Sequence, residues 1–249
     1  MANKGYALIR DDDKVLDGKG NPVGVAYNHL DTTHSPVLLC KFDGDLTDSS
    51  GNGFDLTRDS GTERYTDLLP GLRGVRLDQS TKFYKAYEAA LKITGDVTIQ
   101  VIVNIRHIGN NNMTILDFSN NGELEADNIL YRIDIDGVAN YLRYWAEEGV
   151  GTNIEHSIDD GLTPGVTTLV QMVRENDEVT FSLNGTQISA TSSGLSTPTG
   201  GTSGKLWVGD DSSSGGDFDG AIGSLKIVTS ALTQAQLQAE ATRVFGISF

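Results

Sequence analysis

A run of side-chain oxygens, Asp43, Asp45, Asp48 and Asn52, follows the apolar segment at residues 37–42 and is interleaved with Gly44, Gly51 and Gly53. Glycine lets a loop turn tightly and aim its carbonyls inward, and carboxylate and amide oxygens are the ligands a hard ion such as Ca2+ prefers. A second chemistry is offered by Tyr141, Arg143 and Trp145. Aromatic faces stack on sugar C–H surfaces while a guanidinium hydrogen-bonds hydroxyls, so this trio reads as a candidate ligand-binding set. Strand alternation puts Tyr141, Arg143 and Trp145 on one face and Leu142 and Tyr144 on the other. One of the two sets must therefore be core.

A third stretch, Tyr131-Arg132-Ile133-Asp134-Ile135-Asp136, approaches the pattern of alternating acids that gives a glycosidase two carboxylates about 5 Å apart. Arg132 stands where the nucleophilic carboxylate is needed, and Asp136 belongs to an Asp-Gly turn. No catalytic role is expected there. His29, His34, His107 and His156 lack metal-ligand spacing. The single cysteine, Cys40, sits within Val37-Leu38-Leu39-Cys40, so it forms no internal disulfide and is expected in the core. Gly-rich segments near Ser203 and Ser214 precede no helix, which argues against a phosphate loop. The chain is read as a non-enzyme.

Charge narrows the partners. Asp and Glu number 34 against 19 Lys and Arg, a net charge of −15. Such a chain is a poor partner for the phosphate backbone of nucleic acid or an anionic membrane, and it suits cations or neutral sugars. No stretch approaches the ~20 apolar residues of a membrane span, so no membrane insertion is expected. The start, Met1 to Tyr6, shows no signal-peptide pattern, from which synthesis in a cytosol is expected.

The elements that must position these residues are short β-type runs separated by turn signals, the spacing of an all-β sandwich. In the longest, Val97, Ile99, Val101, Val103 and Ile105 share one face. Residues 129–135 and 138–146 read as a hairpin about a tight primed turn at Asp136-Gly137, and Asn184-Gly185 marks a second hairpin. Lys205 to Gly209 reads as a strand with Trp207 in the core. One helix is expected: Thr233 and Gln236 form a capping box, Leu232 and Leu237 a hydrophobic staple, and Gly246 ends it. Residues 1–36 are polar and poor in apolar residues, and read as an extended arm that contacts neighbouring subunits; residues 37–249 form the sandwich.

The order of short motifs resembles the laminin-G-like, concanavalin A-like jelly-roll domains found in phage and bacterial surface proteins. The matching pieces are Phe42-Asp43-Gly44, Asp48-Ser49-Ser50-Gly51-Asn52-Gly53, residues 71–78, residues 96–101, residues 179–185, Leu206-Trp207-Val208-Gly209 and residues 218–227 running into 231–237. The resemblance implies an all-β sandwich of two antiparallel sheets with a short C-terminal helix. It also implies a Ca2+ near the opening loop, for which Asp43, Asp48 and Asn52 are the matching positions. The family's usual closing acid is replaced within Ile222-Gly223-Ser224, which leaves Asp219 or Asp45 to substitute. With the arm, the acidic sandwich and no catalytic set, the layout is expected to be that of a structural or decoration protein on a virion surface. There the arm anchors to neighbouring subunits in a homo-oligomer or larger assembly, and the outward domain adheres to cell-surface glycans. The alternative is an extracellular or cell-surface carbohydrate-binding module, with a glycoside hydrolase a distant third.

Overall fold

Short β-branched runs punctuated by glycine, asparagine and proline fold into strands because a branched side chain fits a pleated, half-buried surface. The computed structural model describes residues 14–16, 22–25, 27–78, 81–109, 112–119, 129–147, 153–158, 162–176, 178–188, 204–210, 217–246 and 249. In chain order the first strands are β1 (Lys14–Leu16), β2 (Pro22–Val25), β3 (Leu38–Cys40), β4 (Thr57–Ser60), β5 (Tyr65–Leu69) and β6 (Leu72–Asp78). Then come β7 (Lys82–Ala86), β8 (Val97–Ile105), β9 (Met113–Ser119), β10 (Ile129–Ile135), β11 (Leu142–Glu147) and β12 (Asn153–Ile158). The last are β13 (Thr167–Glu175), β14 (Glu178–Leu183), β15 (Thr186–Gln187), β16 (Lys205–Val208) and β17 (Asp219–Val228), followed by helix α1 (Gln234–Phe245).

Two antiparallel sheets stack face to face. One has the order β12-β11-β10-β9-β16-β7-β4; the other runs β15-β14-β13-β8-β17-β6-β5, with β3 also paired to β17. The expected face of β8 is the buried one: Val97, Ile99, Val101, Val103 and Ile105 all join the core between the sheets. Opposite them, Phe83, Leu206, Val208, Tyr131, Ile133, Leu142 and Tyr144 fill it from the other sheet. Cys40 is buried in the same core, as expected. Each fully buried aliphatic or aromatic side chain contributes roughly 1.5–3 kcal/mol, so this layer dominates stability.

Helix α1 covers the outer face of the eight-stranded sheet. Thr233 accepts from Gln236 N and the Gln236 side chain accepts from Thr233 N at 2.8 Å, completing the capping box. Leu232 and Leu237 pack together, and Gly246 closes the helix in the left-handed region (φ 66°). Beneath the helix, Gln171 Nε2 donates to Leu237 O at 3.1 Å and Thr98 Oγ1 donates to Ser230 O at 2.8 Å. Lys226, 0% exposed, donates to Glu240 Oε1 at 2.6 Å. Arg243 holds the other Glu240 oxygen at 2.6 Å and reaches Asp31 at 3.1 Å.

Asp31 belongs to the segment expected to be a free arm. Among the described residues of that segment, 27–31 are seated between the helix and the sheet. Asn28 N donates to Val244 O at 3.1 Å, Arg243 Nη1 donates to His29 O at 2.7 Å, and Leu30 is fully buried beside Leu39, Leu72 and Val244. Upstream, β1 and β2 pair with each other. The acidic triplet at residues 11–13 and the Gly/Ser/Thr-rich residues 191–203 and 211–216 lie outside the described residues.

One turn differs from expectation. Asp136-Gly137 is not a two-residue primed turn, because the Asp136 carboxylate caps the loop instead. Its Oδ1 accepts from Val138 N and Ala139 N, both at 2.9 Å. Asn140 adopts φ 58°, and Asp136 N donates to Tyr141 O at 2.8 Å, so the connection spans residues 136–141. The Asn184-Gly185 turn has both residues at positive φ, 50° and 79°, as a primed turn requires.

Removing one member of a buried ion cluster strands the others in a low-dielectric site. Glu240→Ala is therefore expected to lower unfolding free energy by about 3–5 kcal/mol, whereas the double change Lys226→Met with Glu240→Leu restores most of it. Urea unfolding of both variants measures this.

Candidate functional site

Strand alternation that buries Leu206, Val208, Ile133 and Leu142 sends their neighbours to the outer face of the seven-stranded sheet. Cross-strand register aligns them in one row. Thr57 lies opposite Tyr84, Tyr84 opposite Trp207, Trp207 opposite Asp117, Asp117 opposite Arg132, and Arg132 opposite Trp145. Asp134 faces Arg143 in the next row. Trp207 is thus buried, at 5% exposure, but on the outer side of its sheet rather than in the sandwich core expected for it.

The floor of this face is charged and rigid. Arg132 Nη2 donates to Asp117 Oδ2 at 3.0 Å, and Ser119 Oγ donates to the same oxygen at 2.7 Å. Arg143 grips Asp134 with two parallel bonds, Nε to Oδ1 at 2.8 Å and Nη2 to Oδ2 at 3.1 Å. Its Nη1 donates to Asp136 at 3.0 Å. Above the floor stand half-buried aromatics and cations. The Arg143 guanidinium lies 5.2 Å from the Trp145 ring centre, and Trp145 Nε1 donates to Asp134 at 3.3 Å. Lys205 Nζ sits 4.1 Å from the Tyr84 ring centre and 4.7 Å from that of Trp207. Lys82 pairs with Asp210 beside Trp207.

Of the expected ligand trio, Arg143 and Trp145 share this outer face, while Leu142 and Tyr144 are core. Tyr141 is half-buried in the connection just before β11. The residues that sequence reading missed are Tyr84, Asp117, Arg132 and Lys205. The pattern Lys205-Leu206-Trp207-Val208 pairs Lys205 with Trp207 on one face, and register between strands distant in sequence brings Tyr84, Asp117 and Arg132 to it.

The same geometry bears on catalysis. A retaining glycosidase needs one protonated carboxyl and one free carboxylate about 5 Å apart. Burial pushes the Asp134 carboxyl above the ordinary carboxylate range, the bidentate Arg143 pulls it back, and Asp117 is held by Arg132. Asp136 is spent on capping its turn and on Arg143.

In the opening loop the Asp48 carboxylate is hydrogen-bonded by the loop's own backbone and hydroxyl groups. Asp48 Oδ1 accepts from Leu39 N at 3.0 Å and Ser50 N at 2.8 Å; Oδ2 accepts from Ser50 Oγ at 2.7 Å and Phe54 N at 3.0 Å. Asn52 Nδ2 donates to Val37 O at 2.9 Å, and Asp43 is exposed. Asp219 does not join them. Cys40 bridges Asp48 and pairs with Leu225, six residues along β17 from Asp219, which places Asp219 roughly 20 Å away. There Asp219 holds Arg106 Nη2 at 2.7 Å. At Gly223, where the family's acid is expected, β17 bulges; a Cβ would lie 2.8 Å from Leu68 Cδ1. Among the described residues no three His, Cys, Asp or Glu side chains gather to hold a metal. Of the four expected ligands, Asp43, Asp48 and Asn52 share the opening loop and Asp219 lies apart from them.

The family model Laminin_G_3, the concanavalin A-like lectin/glucanases superfamily, matches residues 78–238. The chain belongs to this superfamily. Solved structures with the same fold include domain 4 of AbnA, a GH43 extracellular arabinanase from Geobacillus stearothermophilus, in complex with arabinotriose. It is 18% identical, with a TM-score of 0.64, and the match covers 86% of this chain and 100% of that one. The binding domain of botulinum neurotoxin DC in complex with rat synaptotagmin II is 14% identical at TM-score 0.64, covering 84% of this chain and 52% of that one. A botulinum neurotoxin type C structure, whose cell entry depends on two ganglioside molecules, is 13% identical at 0.64, covering 84% of this chain and 51% of that one. The chain thus spans about half the length of the neurotoxin chains. Curated protein sequences yield no match.

Burial raises the Asp48 carboxyl pKa, but hydrogen bonds from Phe54, Leu39 and Ser50 outweigh it and hold the carboxyl below its ordinary 3.8. Its contribution is therefore complete above that value and lost as pH falls through the lower folded value. Asp48→Asn is expected to cost about 1–3 kcal/mol at neutral pH and to flatten the acid limb of stability below about pH 4. Urea unfolding across pH measures both.

Proposed function

We propose that this chain is a non-catalytic glycan-binding module whose ligand lies along the outer face of the seven-stranded sheet. The observation that carries the reading is the single row in which Tyr84 and Trp145 flank the buried Trp207 and the fixed Asp117–Arg132 pair. Strands about 4.8 Å apart spread Tyr84 and Trp145 over four spacings, roughly 19 Å, which suits an oligosaccharide rather than one sugar. Rings stack on C–H faces, and the flanking Lys205 and Tyr141 supply hydrogen bonds to hydroxyls at little ordering cost. The arabinotriose complex of the arabinanase domain supports a sugar ligand for this fold.

A glycan array on the intact chain is expected to give a positive class. Tyr84→Ala and Trp145→Ala, both at half-exposed positions, each weaken the best ligand by about tenfold or more, the loss of one stacking partner. A blank array with a folded protein would remove the reading.

The path of the N-terminal segment supports a placement for the module. Residues 27–31 are clamped on the helix-bearing face, the side opposite the aromatic row. This polarity suits a subunit anchored through residues 1–26 in a homo-oligomer or virion shell, with its glycan face outward. Deleting residues 1–26 is expected to abolish co-sedimentation with the assembled particle while leaving glycan affinity within about twofold, since the aromatic row is remote from the clamp.

A further inference from the structure

A second cleft opens on the opposite sheet, beyond the area covered by the helix. Its volume is about 360 Å3, within the range of small-molecule pockets. Register builds it: Arg76 on β6, Ala221 on β17 and Asn104 on β8 lie side by side in one outward row. Small residues make the depression. Ala221 adds only a methyl to the outward row, and the adjoining Gly220, whose Cβ would point inward to meet Phe218 and, at 2.2 Å, Asn104 O, lets β17 lie close to β8.

The walls carry unspent polar capacity. The half-buried Arg76 guanidinium has no acidic partner among the described residues, although the chain as a whole has 15 more acids than bases. Across the cleft, Arg106 touches Asp219 with Nη2 alone, at 2.7 and 2.9 Å, which leaves Nε and Nη1 for another acceptor. Asn104 gives its Nδ2 to Thr167 Oγ1 at 2.9 Å and keeps Oδ1 as an acceptor, while Thr66 offers a hydroxyl. Guanidinium forks match a carboxylate's two oxygens, and Asn104 with Thr66 matches neighbouring hydroxyls. The one acid in the lining, Asp67, is exposed and pairs with Arg73 at 3.9 Å, so a single carboxylate can meet the cleft's arginines, whereas a polyanion would be repelled by the net charge.

We propose that this cleft binds the carboxylate of an acidic sugar, a uronic acid class of ligand, with Arg76 as the principal anchor. The site is separate from the aromatic row and does not depend on it.

The test is an amide and indole NMR titration of the full chain with sodium glucuronate, sodium acetate, glucose and sodium sulfate at matched ionic strength. Glucuronate is expected to shift Thr66, Asn104 and Gly220 saturably, acetate to do so more weakly, and glucose not at all. The indole signals on the opposite sheet stay in place. Arg76→Gln weakens glucuronate by about tenfold, one charge-assisted pair, and Arg76→Lys by less. Melting temperatures within a few degrees of wild type certify both variants. No glucuronate shift in the cleft, or an Arg76→Gln affinity equal to wild type, overturns the proposal. Sulfate binding as tightly as glucuronate also overturns it, by showing an unselective anion site.

Discussion

The pairing of β17 with β8 is the constraint on which the rest depends. Ten residues of β17 are buried without interruption, and the strand pairs β8 on one side with β6 and β3 on the other. A strand covered on both faces must satisfy two environments at once. Ile222, Leu225 and Ile227 enter the sandwich core, while Ser224 and Lys226 face the helix and residues 27–31. The extra residue at Gly223 permits both: the bulge shifts register between Ile222 and Ser224, so apolar side chains stay inward on either side of it. His29 reaches Gly223 O at 2.8 Å and Ser224 Oγ at 2.9 Å, tying the incoming chain to the bulge.

With that inner layer fixed, the second sheet has little freedom. Its inward residues are those that fill the core, and period-2 geometry exports the remainder. The outward row is consequently aromatic and charged, and its acids are neutralised in place by Arg132 and Arg143. Lys82 and Lys205 add cations beside the rings, so this face is less negative than the whole chain. Pre-formed ion pairs also hold the ring of Trp145 before any ligand arrives, which lowers the ordering cost of binding.

The fold was legible because its signals are local: the alternation of β8, the Asn184-Gly185 turn and the Thr233–Gln236 box each act within a few residues. The site was only half legible. Arg143 and Trp145 could be paired by alternation alone, but Tyr84, Trp207, Asp117 and Arg132 meet through register between strands distant in sequence. A four-residue strand with one tryptophan between Leu206 and Val208 does not by itself declare which face is core. The opening loop is ambiguous for another reason. Asp48 and Asn52 are the residue types that bind Ca2+ and equally those that satisfy a tight loop's own N–H and C=O groups, and here the backbone takes them. Asp136 behaves likewise, capping its connection where an Asp-Gly turn was expected.

The chain contains two tryptophans, Trp145 and Trp207, and both stand in the outward row. Their two indole N–H resonances therefore report on the central claim directly. On titration with the oligosaccharide that ranks first on the array, both resonances are expected to shift along one saturation curve with a common Kd. Saturation of the protein with that oligosaccharide while both indole signals remain fixed would contradict the account.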